Sequence, residues 1–245
     1  MTRRDFSRLL AAGLLAGRVK GEQVRNKRAR RKKTTRVKQI AGIPLVDSTV
    51  CRKATELARE CYELYLLNHA MRTYFFGALV GKSAKMHFDL ELLYLGCILH
   101  DIGLTDRFMG QRSFEIEGAE AARKFLEGQG LSKAKSEVVW DGIALHAQAA
   151  SEFKRPEIAL VAAGAGADVV GAGLANLPMH AKAEVLAAFP RLKFKKAFVS
   201  TCAEVARRHP RSASRGFMRD IADRYVPDFK SPNICDLIER APFDE

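Results

Sequence analysis

The fifteen residues Leu90 to Leu104 (LELLYLGCILHDIGL) limit most severely what this chain can become. At helical spacing Leu90, Leu93, Tyr94, Cys97 and Asp101 fall on one stripe, and Leu92, Leu95, Ile98 and Leu99 make the other sides apolar as well. A helix that is apolar all round has to be enclosed by other elements. Asp89 is suited to cap it and Gly103 to stop it. Its end nevertheless carries His100 and Asp101, two strong metal ligands that a core does not need.

The enclosing elements read as helices too. Asp47 or Ser48 can cap a helix running to about Leu67, with Val50, Ala54, Leu57, Ala58, Cys61, Leu64 and Tyr65 recurring at helical intervals. Asn68 then caps the next helix, which places His69 in its first turn with Arg72 and Thr73 along the same face. Further helices are expected over residues 113–129, 132–149, 155–173, 178–189, 193–208 and 212–225. Few stretches alternate as strands do, and Gly and Pro fall between the helical segments. The expected fold class is all-α.

The net charge of +13 suggests nucleic acid or an anionic membrane until it is located. Residues 1–40 hold 14 Lys and Arg against 2 Asp and Glu, leaving 27 basic and 26 acidic residues for the rest. The charge therefore belongs to a basic arm, residues 1–40, and not to a face of the folded part, residues 41–245. No specific nucleic-acid interface is expected. Residues 25–38 (RNKRARRKKTTRVK) are a solvated run of like charge, expected to be disordered. The five cysteines, Cys51, Cys61, Cys97, Cys202 and Cys235, are odd in number, widely spaced and without a C-x-x-C pair, which predicts free thiols.

The chain opens MTRRDFSRLLAAGLLAG, and Thr2, Arg3, Arg4 and Phe6 resemble a twin-arginine export signal. The continuation departs from that pattern, because the apolar stretch is short and no A-x-A cleavage site precedes Arg18. If the segment works as a signal the protein is exported or periplasmic; if it stays as a basic tail the protein is cytoplasmic. It is too short to span a bilayer, which needs roughly 18 apolar residues.

Two more ligand-type residues lie on segments that otherwise read as buried: His69 in NHAMRTY and Asp168 in GAGADVVGAG. Together with His100 and Asp101 they form a mixed nitrogen and oxygen set that suits zinc, iron(II) or manganese better than calcium. Such a site leaves positions open for water, and its natural chemistry is hydration or hydrolysis of a small molecule. Taken singly, each residue has a structural explanation: a hydrogen-bonded core histidine, a His-Asp cap or ion pair, a core aspartate serving a helix end. His146, at helical spacing from Trp140 and Ile143, is a candidate proton shuttle or substrate contact, or a core histidine bonded to backbone. Arg72 is a candidate grip for an anionic substrate or a partner for a neighbouring carboxylate. Glu115 and Glu117 are accounted for by the positive end of their helix. Gly164, Gly166, Gly171 and Gly173 lack the spacing and the preceding strand of a phosphate-binding loop, and read instead as small residues that let helices close around Asp168.

The pattern H…HD…D, formed by His69, His100-Asp101 and Asp168 at separations of 31 and 67, resembles the HD-domain superfamily of metal-dependent hydrolases. The words NHAMRTYFFG, CILHDIGLT, SFEIEGAEAARKFL, IALHAQ and EIALVAAGAGADVVG are most similar to its cyanamide hydratase-type branch, over roughly residues 40 to 230. The resemblance implies one compact helical domain holding one divalent ion on those four residues, with activities ranging from phosphohydrolase to a lyase that adds water to a nitrile. A nucleotide or phosphomonoester phosphohydrolase, and a catalytically silent HD-type binding module, stay open as alternatives. Oligomeric state stays open as well.

Overall fold

The computed structural model describes residues 39–242; the twin-arginine-like segment and the basic run lie outside them. The apolar run becomes helix α3, Leu90–Leu99, with every residue from Leu92 to Leu99 buried. Asp89 caps it as expected, its Oδ1 accepting from the backbone N–H groups of Glu91 at 2.8 Å and Leu92 at 3.3 Å. Around it pack α1 (Thr49–Cys61), α2 (Leu64–Ser83), α5 (Lys133–Leu145) and α6 (Pro156–Val170). Helix α4 (Phe114–Gly128) packs on α5. Helices α7 (Met179–Ala188), α8 (Phe194–Arg208), α9 (Gly216–Tyr225) and α10 (Ile234–Glu239) follow. The described residues are mostly helical, as the periodicity predicts.

The helix boundaries differ from the sequence reading in ways that bear on the site. Helix α1, capped by Ser48, ends at Cys61, and α2 starts at Leu64. Asn68 therefore does not cap a helix; it lies within α2 and donates to the Pro190 carbonyl at 2.9 Å, and His69 falls in the second turn. The helix read through residue 149 stops at Leu145, and residues 149–153 make a separate 3-10 turn. A small antiparallel hairpin, β1 (Gln39–Ile40) and β2 (Ile43–Pro44), was not expected. Its turn residues Ala41 and Gly42 both take positive φ, 51° and 70°, the pairing a two-residue hairpin requires. All five cysteines are free thiols. Among the described residues no helix is long and apolar enough to cross a membrane.

Of the glycines of GAGADVVGAG, Gly164 has the role expected of it, whereas Gly171 and Gly173 take positive φ, 80° and 70°, where the chain leaves α6, with nothing within 4 Å of an added Cβ. Helices α2 and α6 meet at Gly77 and Gly164, where a Cβ on Gly164 would lie 2.1 Å from the Thr73 carbonyl oxygen and one on Gly77 2.5 Å from that of Leu160. These contacts involve backbone, which cannot step aside. Gly164→Ala is expected to cost about 1–3 kcal/mol or more, as overpacking does. Gly128→Ala, where nothing lies within 4 Å, is expected to leave stability unchanged or slightly raised. Urea unfolding of the two variants checks the contrast. Because α2 carries His69 and α6 carries Asp168, the close approach also sets how those side chains meet.

Candidate metal centre

Helix α3 ends at Leu99, leaving His100 at its C-cap and Asp101 at the start of a 3-10 turn, Ile102–Leu104. Gly103 gives this turn room: a Cβ there would lie 2.0 Å from the Phe114 carbonyl oxygen. The change of winding after His100 lets consecutive residues aim at one point, which a continuous helix would splay by about 100°. His69 reaches the same point from α2, and its ring lies 4.7 Å from that of Phe194. All three side chains are sealed from solvent, at 0–1% exposure.

Their tautomers are set from behind. His100 Nδ1 lies 2.8 Å from the Cys97 carbonyl oxygen, and His69 Nδ1 lies 2.7 Å from Asp168 Oδ2. Both acceptors require Nδ1–H, which leaves each Nε2 with a bare lone pair. The two Nε2 atoms stand 3.1 Å apart, and Asp101 Oδ2 stands 3.4 Å from one and 3.3 Å from the other. Three lone pairs thus face one another with no proton among them, and Asp101 Oδ2 has no hydrogen-bond partner. Buried acceptors arranged this way repel unless a cation joins them. Ligand atoms about 2.0–2.1 Å from a tetrahedral zinc lie about 3.3–3.4 Å from one another. The observed triangle matches that spacing closely. His69, His100 and Asp101 form a buried cluster able to coordinate one divalent metal.

His146 repeats the device of His100. It caps α5 at the C-terminal end, its Nδ1 lies 2.7 Å from the Ile143 carbonyl oxygen, and its Nε2 faces Asp101 Oδ1 at 3.9 Å. Burial, with the other imidazoles adding, lowers His100 to about 3 and His146 to about 4. Burial likewise raises the Asp101 carboxyl. Neutral imidazoles are the form in which histidine binds a metal or accepts a proton.

Asp168 stands one step back from the cluster. Besides His69 Nδ1, its oxygens accept from Arg72 Nε at 2.8 Å, Arg72 Nη2 at 2.7 Å and Arg191 Nη1 at 2.7 Å. Burial pushes this carboxyl up, but the hydrogen bonds from His69 and Arg72 prevail and bring it down to about 2. The sequence pattern groups Asp168 with the ligands; the structure gives it to the far nitrogen of His69. Arg72 takes the second role its sequence context allows, pairing with a neighbouring carboxylate. Its remaining donor Nη1 reaches the carbonyls of Phe189 and Pro190, and the residue is fully buried. Arg191 escapes notice in the sequence because it lies on the turn between α7 and α8, where no periodic signal exists, and Phe194, the first residue of α8, because nothing local ties a helical phenylalanine to His69. Arg72 and Arg191 lie against the face of Phe194 at 5.5 Å and 4.8 Å, completing the support behind His69.

A family model for the HD domain matches residues 66–192, a span containing His69, His100, Asp101, His146 and Asp168. The chain belongs to the HD-domain family. Two yeast proteins from Saccharomyces cerevisiae, cyanamide hydratase DDI2 and cyanamide hydratase DDI3, are each 31% identical to it over 90 residues. Each alignment covers 35% of this chain, which thus spans 40% of the length of these curated relatives. An HD-domain fold with a buried His/His/Asp triad is the equipment of a metal-dependent hydrolase or lyase.

Proposed function

We propose that this HD-domain protein binds one divalent transition metal and adds water to a small nitrile-type molecule, cyanamide being the substrate named for the two yeast relatives. The observation that carries the reading is the buried triangle of His69 Nε2, His100 Nε2 and Asp101 Oδ2, three converging lone pairs that one divalent ion would reconcile. Zinc, iron(II) and manganese all suit two imidazoles and a carboxylate. When bound, such an ion supplies Lewis acidity, easing loss of a proton from a coordinated water and polarising the substrate.

The chain's own residues account for the proton. Hydration of a nitrile forms a bond from the water oxygen to the nitrile carbon and moves both water protons to nitrogen, so the product is an amide and no co-reactant is needed. His146 Nε2 carries a free lone pair beside Asp101 and is placed to accept a proton from water and pass it to the nitrile nitrogen. His69 and His100 cannot do this, because their Nε2 atoms belong to the cluster. Asp168 and Arg72 hold the His69 ring still. The basic arm of residues 1–40 is a separate region in this reading, with turnover belonging to residues 41–245.

Metal analysis and hydration assays test the proposal together. Purified protein is expected to hold about one ion per chain and to convert cyanamide to urea, and chelation is expected to stop turnover. His146→Ala is expected to keep its metal while kcat falls about 10²–10⁴-fold, the usual reach of a general acid or base. Protein without stoichiometric metal, or metal-loaded protein inert towards nitriles but active on nucleoside monophosphates, would overturn it.

A further inference from the structure

From Val205 to Arg219 the chain carries five arginines and no Asp or Glu. Three of the five are answered by carboxylates: Arg207 by Glu204, Arg208 by Asp106, and Arg219 by Asp223 at 3.5 Å. The other two are Arg211, in the 3-10 turn Pro210–Ala213, and Arg215, at the N-cap of α9. Among the described residues their side chains make no hydrogen bond and no ion pair. Both line one cavity of about 350 Å³. Unanswered positive charge is thus gathered at a single concave place, on a folded part whose charges otherwise nearly balance.

The rest of the lining repeats that chemistry. Ser214 and Gln148 bring a hydroxyl and an amide that no other described group engages. No side chain caps the first turn of α9, so the N–H groups of Gly216 and Phe217, both in the lining, stand without a side-chain acceptor at the positive end of a helix. Ile116 and the Phe217 ring supply apolar wall. Glu115, the carboxylate in the lining, does not answer the arginines. It is 6% exposed with Oε2 enclosed, and burial pushes its carboxyl up, while its own backbone N–H and the Ser113 hydroxyl ease the ionised form. The accessible polar groups of the cavity are therefore mainly donors, two of them charged. None of His69, His100, Asp101 and His146 is in the lining; Phe114, whose ring packs against Phe217 at 5.8 Å and against His146 at 5.6 Å, belongs to the layer between.

We propose that this cavity is a binding site, separate from the metal cluster, for a small organic oxyanion: a carboxylate or phosphate held by the guanidinium groups of Arg211 and Arg215 and the amides that open α9, with its apolar body against Ile116 and Phe217. The planar fork of arginine matches either anion in shape, which the point charge of a lysine does not. Cavities of about 300–1,000 Å³, with apolar walls and a few placed polar groups, are the kind that small molecules occupy. An anion here gains the two charges that the fold leaves unpaired, and its body covers the half-buried face of Phe217. Nothing in this site depends on the hydration of nitriles.

Chemical-shift titration of isotope-labelled full-length protein tests the site with three probes that share an aromatic body: benzoate, phenyl phosphate and the neutral benzyl alcohol. At least one of the anions is expected to bind and to shift the amides of Arg215, Gly216 and Phe217, with benzyl alcohol much weaker; the tighter of the two anions names the headgroup. Arg211→Ala and Arg215→Ala are each expected to weaken that anion about 10-fold, the lower end of the factor for one hydrogen bond from a charged donor. Both arginines are exposed and unpartnered among the described residues, so their loss leaves the fold intact. Arg215→Lys, which keeps the charge without the fork, is expected to lose less than Arg215→Ala. Arg224→Ala removes the same charge from α9 outside the cavity and is expected to change nothing. Oxyanions also coordinate metals, so the titration is repeated after chelation, with binding expected to be the same. Binding lost on chelation would move the anion to the metal cluster. Equal weakening by Arg224→Ala would reduce it to a general attraction between charges, and no shift at the cavity with either anion would leave the cavity without a ligand. Any of these three results overturns the proposal.

Discussion

Asp101→Asn is expected to abolish metal retention and turnover while leaving the metal-free protein as stable as before or more so. The expectation follows from the lone pairs. His69 Nε2, His100 Nε2 and Asp101 Oδ2 converge within 3.1–3.4 Å, and the Nδ1–H bonds of both imidazoles leave their Nε2 atoms without hydrogen. An asparagine at 101 can turn its Nδ2 towards the two imidazoles and donate hydrogen bonds to the lone pairs that otherwise repel. The buried carboxylate, already raised by burial, is also neutralised without a change of shape. The same exchange removes the anionic ligand and blocks the ion's position. Function and stability thus pull in opposite directions here, as they do where a site stores unfavourable contacts for its ligand. Thermal unfolding with and without chelator reads this directly. Chelation is expected to lower the wild-type midpoint, since bound metal stabilises the folded state by mass action, and to leave Asp101→Asn unmoved. A variant that still binds one ion per chain, or whose metal-free form melts well below the metal-free wild type, would contradict the account.

How far the site was legible depended on how locally each residue is placed. His100 and Asp101 stood out because two polar residues closed an otherwise apolar helix, a contrast contained in fifteen adjacent letters. Asp89 as a cap, and Gly164 as a place where helices meet, were legible for the same reason, since a cap side chain and a missing side chain act within a turn or two. His69 was found, but its setting was misread: Asn68 has the chemistry of a cap, and only the packing of α2 against the α7–α8 turn shows that it serves the Pro190 carbonyl instead. Asp168 shows what spacing alone leaves out, the partners that hold its carboxylate. Its identity and spacing group it with the ligands. Which atom it meets is decided by Arg72, Arg191 and the approach of α6 to α2, groups up to 99 residues apart in sequence. The burial of Glu115 was hidden by an adequate explanation, because the first turn of a helix welcomes any carboxylate, exposed or enclosed.

Asp168→Ala is expected to be the most destabilising single change near the site, by about 3–5 kcal/mol, because it strands Arg72. Arg72 is fully buried and gives two of its donors, Nε and Nη2, to that carboxylate. Arg191, half-exposed, can turn to water; Arg72 cannot. His69 loses its Nδ1 acceptor at the same time, so its tautomer is no longer imposed. The two consequences can be pulled apart. Replacing the pair together, Arg72→Met with Asp168→Leu, removes the stranded charge and fills the space with apolar atoms, an exchange that is often neutral or stabilising. Urea unfolding is therefore expected to show most of the lost stability restored. Metal affinity is not expected to return with it: without the hydrogen bond that orients a ligating imidazole, affinity falls about 10- to 100-fold. A double variant that regained stability and wild-type metal affinity together would show that Asp168 serves the fold alone. One that regained neither would show that the pair is replaceable by nothing of its own size, and that the arginine and the aspartate hold α2, α6 and the α7–α8 turn in place as well as His69.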